Sequence, residues 1–225
     1  MKAVVVGGTG SVGMELVGQL LQSPAWTQVT AVGRREVVVS AAYQGYDPSK
    51  LVQKVVSMDN LPDEAASAFE NAHSVFCTLG TTRKDAGSAE QFKKVDLHYV
   101  QLAAQAAKQA GVKHFSLCTT RGANANMWAS SLSPFHALLY IKTKGQAEEA
   151  VKAQGFACVS IFRPGALDRG QKARWNERLA SRLTTTTPVK DVARAMVLDA
   201  EANRTAVHVY EEASIIDVVK SGTLP

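Results

Sequence analysis

The chain has few cysteines and no long apolar run. Its 225 residues include 3 cysteines, whose odd number and wide spacing fit neither a disulfide framework nor a zinc site. No apolar stretch approaches the roughly 20 residues that a membrane helix needs. The residues after Met1-Lys2 have the pattern of a buried strand rather than that of a cleavable signal peptide. These absences predict a cytoplasmic protein with no integral membrane contact and no bound metal.

A large excess of charge of one sign is also lacking. The chain has 25 Lys and Arg residues and 20 Asp and Glu residues, which gives a net charge of +5. A nucleic-acid site would need a clustered basic stripe with aromatic neighbours, whereas the basic residues here are scattered outside Arg34-Arg35 and 169–178. We therefore expect no nucleic-acid partner, and a small anionic ligand is enough to explain the arginine pair.

Strand and helix patterns alternate along the whole sequence. This alternation predicts an α/β fold with a doubly wound, mostly parallel Rossmann-type sheet in one domain that spans 1–225. The predicted strands are 3–6, 28–32, 54–57, 74–79, 113–118, 156–162 and 206–210. The predicted helices are 14–21, 64–70, 88–110, 133–154, 189–202 and 213–219, and the 133–154 helix begins with Ser133-Pro134 as N-cap and first helical residue. Segments 121–133 and 168–187 are expected to lie on the substrate side, the latter in a small C-terminal portion.

A glycine motif separates the first strand from the first helix. This strand, turn and helix context is what makes Gly7, Gly10 and Gly13 a candidate dinucleotide site. Gly7 would permit a tight turn, Gly10 would let the backbone approach a pyrophosphate, and Gly13 would let the helix pack closely on the strand. Free N–H groups at the helix N-terminus would hold the phosphates. An ordinary glycine-rich turn is the alternative, and the flanking strand and helix favour the nucleotide site.

The end of the second predicted strand indicates which dinucleotide binds. An NAD site has an Asp or Glu there for the ribose 2′-hydroxyl, whereas an Arg accommodates a 2′-phosphate. Gly33 is followed by Arg34 and Arg35, and the first acidic residue is Glu36. A guanidinium binds phosphate in bidentate fashion. The sequence therefore predicts NADP(H) rather than NAD, with two solvated surface arginines as the alternative.

Tyr140 and Lys144 are the candidate catalytic pair. Four residues apart on a predicted helix, they share one face. A nearby ammonium stabilises a phenolate, so Tyr140 can give a proton to a carbonyl oxygen as a hydride arrives from a nicotinamide. Thr119 or Thr120, at the end of the preceding strand, would orient the substrate oxygen. An amphipathic helix with its tyrosine in the core and its lysine outside would show the same spacing.

Taken together, these motifs resemble the short-chain dehydrogenase/reductase superfamily, of the extended or atypical kind. The residues that carry the likeness are the glycine motif, Asp59, the Tyr140/Lys144 pair, Arg163-Pro164-Gly165 and 189–193. More narrowly, the chain is similar to the family of the human Tat-interacting tumour-suppressor oxidoreductase at 32–35, 77–83, 113–115 and 162–165. The most specific piece of this second likeness is Leu79-Gly80-Thr81-Thr82-Arg83.

The resemblance implies further site residues for a Rossmann domain that binds NADPH. It places Thr9, Ser11 and Val12 at the pyrophosphate turn, Asp59 near the adenine, and Leu79, Gly80 and Thr81 near the ribose, with Lys144, Arg163 and Pro164 also at the cofactor. It also places Asp96 where related enzymes often carry an asparagine that touches the site, although a structural role is favoured for Asp96.

The sequence as a whole predicts an NADPH-dependent oxidoreductase that reduces a carbonyl of a small or lipid-like molecule. The alternative is an NADP(H)-binding module that senses redox state or binds a protein partner without turnover. The retained Tyr140/Lys144 pair favours the enzyme. The alternative is favoured by threonines where the family usually has serine and by a longer stretch between Thr120 and Tyr140. The identity of the substrate and the oligomeric state are not predicted.

Overall fold

A computed structural model describes residues 1–129, 136–168 and 186–224. Within them, a sheet of seven parallel strands has the order β3-β2-β1-β4-β5-β6-β9. This architecture confirms the predicted Rossmann-type fold. The strands of this sheet are β1 (Lys2–Val6), β2 (Gln28–Gly33), β3 (Leu51–Val55), β4 (Ser74–Cys77), β5 (His114–Cys118), β6 (Cys158–Arg163) and β9 (Ala206–Glu211). A separate parallel pair consists of β7 (Ala166–Asp168) and β8 (Thr186–Pro188).

Helices cover both faces of the sheet. They are α1 (Ser11–Gln22), α2 (Leu61–Glu64), α3 (Ala66–Phe69), α4 (Arg83–Ala86), α5 (Ala89–Lys93), α6 (Tyr99–Gln109), α7 (His136–Lys152), α8 (Val189–Glu201) and α9 (Glu212–Ser221), and a π-helical turn at Lys94–His98 joins α5 to α6. Ala3 and Val5 of β1 pack in one core cluster, whereas Val4 and Val6 pack in the other. Since successive strand residues point to opposite faces, β1 is buried on both sides.

Two elements differ from their predicted limits. The third strand was predicted at 54–57 but occupies Leu51–Val55, because this edge strand is buried only in part and its apolar pattern is weak. The predicted helix at 88–110 is interrupted by the π-helical turn. A π-helical turn adds one residue to the local repeat and occurs often at functional sites.

Several predictions fall outside the described residues. The predicted start of a helix at Ser133-Pro134 lies there, as do the end of the 121–133 segment and most of the 168–187 segment. In the described part of the chain, no helix combines the length and the apolar character needed to cross a membrane.

Candidate functional site

A cleft of about 680 Å³ lies at the carboxyl ends of β1, β2, β4 and β5, where open parallel sheets bind ligands. It brings together most of the residues singled out in the sequence. Those that line it are Gly7, Thr9, Gly10, Ser11, Val12, Arg34, Arg35, Leu79, Gly80, Thr81, Thr119, Tyr140 and Lys144. The predicted site residues that do not form its wall are Gly13, Asp59, Thr120, Arg163 and Pro164.

The glycine turn forms one end of the cleft. Gly7 has a φ of +92°, and a Cβ there would lie 2.9 Å from the backbone nitrogen of Leu79. At Gly13 a Cβ would lie 2.3 Å from the Gly7 carbonyl oxygen, so α1 can approach β1 this closely only without a side chain. A Cβ at Gly10 would meet nothing nearer than 3.4 Å. The backbone at Gly10 is therefore open on its outer side, the shape that a pyrophosphate requires.

Arg34 and Arg35 follow β2 directly and border the cleft. Both side chains are exposed. Within the described ranges, neither guanidinium forms an ion pair with a carboxylate. Two cations without a fixed acidic partner make this corner of the cleft suited to an anionic group.

Lys144 lies at the floor of the cleft and is buried. Its Nζ is 2.8 Å from Oδ1 of Asp96, which is fully buried, and donates a hydrogen bond of 3.0 Å to the carbonyl oxygen of Leu79. Burial by itself would lower the pKa of Lys144, but the opposing Asp96 charge outweighs it and raises this pKa above its usual range. Lys144 is therefore a firmly held cation.

The second oxygen of Asp96 holds the loop after β4. Its Oδ2 accepts a 2.9 Å hydrogen bond from the backbone N–H of Thr81. A Cβ at Gly80 would lie 3.3 Å from Nζ of Lys144, so the glycine lets the loop approach the ion pair. The Asp96 carboxylate thus connects the loop after β4, through Thr81, to helix α7, through Lys144.

Tyr140 lies one turn before Lys144 on α7 and also borders the cleft. Its ring is half-buried, and its centroid is 5.9 Å from that of Phe92. Tyr140 interacts electrostatically with Lys144. The predicted pair therefore lines the same cleft as the glycine turn.

The two threonines after β5 have different surroundings. Thr119 is buried and its hydroxyl donates to Oε1 of Glu148 at 2.7 Å. Thr120 is only partly buried. Glu148 also pairs with Arg163, whose Nε donates to Oε1 at 3.0 Å, and the hydrogen bonding of the guanidinium to this carboxylate raises the pKa of Arg163. Since Arg163 pairs in addition with Glu211 at 2.8 Å, its predicted contact with the cofactor stays a prediction.

Asp59 lies beside the cleft rather than in its wall. Its carboxylate is half exposed and lies 2.7 Å from Nζ of Lys94. The hydrogen bond from Lys94 lowers the pKa of Asp59. Its predicted position near an adenine ring is not tested by this geometry.

The cysteines are buried thiols. Burial raises the pKa of Cys77 to about 12 and that of Cys118 to about 11, so both remain protonated at neutral pH and react poorly. Cys118 borders the cleft. Cys77 and Cys118 belong to different core clusters, on opposite faces of the sheet. This arrangement disfavours redox sensing through a disulfide between them.

A family model described as NAD(P)H-binding matches residues 7–201, most of the chain. The chain belongs to the NAD(P)H-binding family. One relative of this chain, Protein HTATIP2 of Rattus norvegicus, is 36% identical to it over 187 residues. The matched residues are 82% of this chain and 70% of the relative. Protein FMP52-1, mitochondrial, of Scheffersomyces stipitis is 37% identical over 172 residues, 74% and 67% of the two chains. The resemblance predicted from the sequence is confirmed.

Solved structures share the fold of this NAD(P)H-binding chain. MoeE5 in complex with UDP-glucose and NAD is 20% identical, with a TM-score of 0.69 over 99% of this chain and 82% of that one. The enzyme WbmH of Bordetella bronchiseptica in complex with NAD⁺ is 17% identical, with a TM-score of 0.67 over 100% and 82% of the two chains. The fold is therefore shared with these two structures, and the family match makes it an NAD(P)-binding one.

The expected cytoplasmic location was wrong. The relatives from Scheffersomyces stipitis, Debaryomyces hansenii and Candida albicans are all named mitochondrial proteins. The sequence-based prediction used only the lack of a signal peptide and of a membrane helix, and neither feature distinguishes the cytoplasm from the mitochondrion.

Sequence reasoning undervalued two acidic residues of this NAD(P)H-binding chain. Asp96 was expected to be structural, yet it borders the cleft and pairs with Lys144. The sequence feature that could have indicated this role is the position of Asp96 between Phe92 and Val100, on the apolar face of the predicted helix. Glu148 was missed, although it falls four residues after Lys144 on the same face of α7 and is 1% exposed.

Proposed function

We propose that this chain is an NADPH-dependent oxidoreductase that reduces the carbonyl group of a small or lipid-like molecule. The observation that carries the proposal is that one cleft contains both the glycine turn and the Tyr140/Lys144 pair. The two features are more than 120 positions apart in the chain, and both line the same cleft. A nucleotide site without chemistry would not need a tyrosine beside a buried cation.

The preference for NADPH rests on the corner after β2. Arg34 and Arg35 border the cleft there as exposed cations. A 2′-phosphate is a dianion near neutral pH and suits a guanidinium fork, whereas a free 2′-hydroxyl suits a carboxylate acceptor. We propose that one or both arginines bind the 2′-phosphate.

In the proposed reaction, bound NADPH supplies a hydride. Tyr140 donates its hydroxyl proton to the carbonyl oxygen of the substrate, and the Lys144 ammonium stabilises the phenolate that remains. The single hydroxyl proton of Thr119 is already given to Glu148, so we propose that Thr120 orients the substrate oxygen. Water from the open side of the cleft returns a proton to Tyr140 between turnovers.

Oxidation of NADPH with a panel of aldehydes and ketones tests this function. Tyr140→Phe removes the transferable proton but keeps the ring against Phe92, so we expect kcat to fall about 100-fold or more while NADPH still binds. Tyr46→Phe is the matched control, because Tyr46 packs against a different core cluster from Tyr140 and does not line the cleft. Turnover that Tyr140→Phe leaves unchanged would refute the assigned role.

A cofactor-binding module without turnover is the second candidate. It is favoured by the hydrogen bond of the Thr119 hydroxyl to Glu148, which uses a donor that a reductase would point at its substrate. Tight NADPH binding with no oxidation on any carbonyl of the panel would support the module and refute the enzyme.

A further inference from the structure

A second pocket, of about 370 Å³, lies at the amino ends of β4, β5, β6 and β9, the opposite end of the sheet from the cleft. Its wall includes His73 and Lys113, which come just before β4 and β5, and Ala157 and Thr205, which come just before β6 and β9. It shares no wall residue with the cleft. Small-molecule sites have volumes of roughly 300–1,000 Å³, so the second pocket is large enough for a ligand of its own.

Positive charge exceeds negative charge in the wall of the second pocket. Lys113 and Arg204 line it, and Asp199 is the only carboxylate among the described residues that do. The Asp199 carboxylate is already engaged, because Tyr210 donates to its Oδ1 at 2.5 Å and Nε2 of His114 lies 3.4 Å from its Oδ2. Lys113 is exposed and forms no ion pair within 1–129, 136–168 and 186–224. An incoming anion would therefore meet a cation rather than a free carboxylate.

Hydrogen bonds hold the polar part of this wall in place. The imidazoles of His73 and His114 both contact the Ser74 hydroxyl, each at 2.9 Å through Nδ1. Nε2 of His114 lies 3.1 Å from the Ser160 hydroxyl. Nε2 of His73 lies 2.6 Å from Oδ1 of Asn203. A site whose groups are fixed before a ligand arrives loses less conformational entropy when it binds.

The backbone around the second pocket contains left-handed residues. In the described ranges, Asn71, Asn203 and Ala206 are the non-glycine residues with positive φ, at +57°, +51° and +78°. Asn71 and Asn203 line the pocket, and Ala206 directly follows Thr205 in its wall. Asparagine tolerates this conformation, whereas the Cβ of alanine disfavours it. Backbone strain of this kind clusters at ligand sites.

The remaining wall of the second pocket is small and apolar. Ala72, Ala157, Ala200 and Cys158 contribute to it. Burial raises the pKa of the Cys158 thiol above its ordinary value, so the thiol carries no charge at neutral pH. The wall therefore combines an exposed cation with uncharged, apolar surface.

We propose that the second pocket binds a small organic anion, which is a carboxylate or phosphate group on an apolar body. The anionic group pairs with Lys113 at the exposed rim, where the amide of Asn71 offers a further donor. The apolar body packs against the alanines of the wall. This site is independent of the proposed function, because none of its residues lines the cleft.

Titration of the full chain with phenylacetate, followed by ¹H–¹⁵N NMR, tests the proposal and locates the ligand. The amide signals of Ala72, Gly111 and Thr205 should shift and saturate with a dissociation constant of about 1 mM or lower. Phenylacetamide replaces the carboxylate by a neutral amide and should bind about fivefold more weakly or worse. A parallel titration with phenyl phosphate shows which anionic group the site prefers.

Two lysine variants test the role of charge at the rim. Lys113→Gln should weaken phenylacetate binding about threefold to fivefold, because an exposed ion pair is partly screened by water. Lys220→Gln is the matched control, because Lys220 is also exposed but does not line the second pocket. Its dissociation constant for phenylacetate should stay within about 1.5-fold of the wild-type value.

Three results would overturn the proposal. They are the lack of saturating shifts at Ala72, Gly111 and Thr205, equal binding of phenylacetate and phenylacetamide, and equal losses in the two lysine variants. A protein that binds phenylacetate at these residues but no NADPH would refute the proposed function and leave this site intact. A protein that binds NADPH but neither organic anion would do the reverse.

Discussion

Replacing Gly10 by alanine should separate cofactor binding from folding. The backbone at Gly10 has φ −76° and ψ 166°, which alanine adopts without strain. Its added Cβ would lie 3.4 Å from the Gly7 carbonyl oxygen, which is an ordinary van der Waals distance. Alanine is a poorer N-cap than glycine but also restricts the unfolded chain, so we expect the free energy of unfolding to change by about 1 kcal/mol or less.

The same methyl group would stand where we propose that the pyrophosphate binds. Hydrogen bonds to a charged group contribute about 1.5–3 kcal/mol each, so loss of one such bond weakens NADPH binding about tenfold to 100-fold. Thermal unfolding and NADPH titration of Gly10→Ala check both expectations, with a Tm shift of about 4 °C or less. Gly13→Ala is the comparison, because a Cβ at 2.3 Å from Gly7 O should cost both stability and affinity. Wild-type affinity in Gly10→Ala would refute the pyrophosphate assignment.

Two further predictions concern charge. Arg34→Ala or Arg35→Ala should weaken NADPH binding about tenfold, while NADH binding should change by less than about threefold. Titrations of each variant with both dinucleotides measure the two changes. Equal losses of NADPH and NADH affinity would refute the 2′-phosphate assignment. Burial alone would raise the pKa of Asp199, but hydrogen bonds led by that from His114 lower it below its ordinary value of 3.8. Its stabilisation is therefore present at neutral pH and lost as acid protonates it. Urea unfolding should show Asp199→Asn less stable than wild type by about 1–3 kcal/mol at pH 7, with the gap closing towards pH 3; a constant gap would contradict the pairing.

The first part of the fold was predictable because its signals are local. The valines of β1, the spaced glycines and the apolar face of α1 follow one another within 22 residues. Each of these patterns indicates one kind of local structure: a buried strand, a tight turn and an amphipathic helix. The arginines after β2 are similarly local. Edge strand β3 starts three residues and ends two residues before its predicted limits, because a half-exposed strand has no apolar alternation to mark its ends.

The interior of the site depends on contacts between distant segments. Asp96 and Lys144 are 48 positions apart, and no spacing rule indicates that they form an ion pair. The π-helical turn at Lys94–His98, which interrupts the predicted 88–110 helix, contains no proline or glycine that would predict a break there. The hydrogen bond from Thr119 to Glu148 likewise requires the packing of α7 against the sheet. Sequence patterns thus predicted which residues reach the cleft better than how those residues are paired inside it.

A crystal structure of the chain with NADPH bound tests the central claim most directly, because it locates both ends of the cofactor at once. We expect the pyrophosphate over Gly10, the 2′-phosphate in hydrogen-bond contact with Arg34 or Arg35, and the nicotinamide ring facing Tyr140 with room for one carbonyl group between them. A nicotinamide ring directed away from Tyr140, with the phosphates still on the glycine turn, would contradict the reductase and leave only a dinucleotide-binding protein.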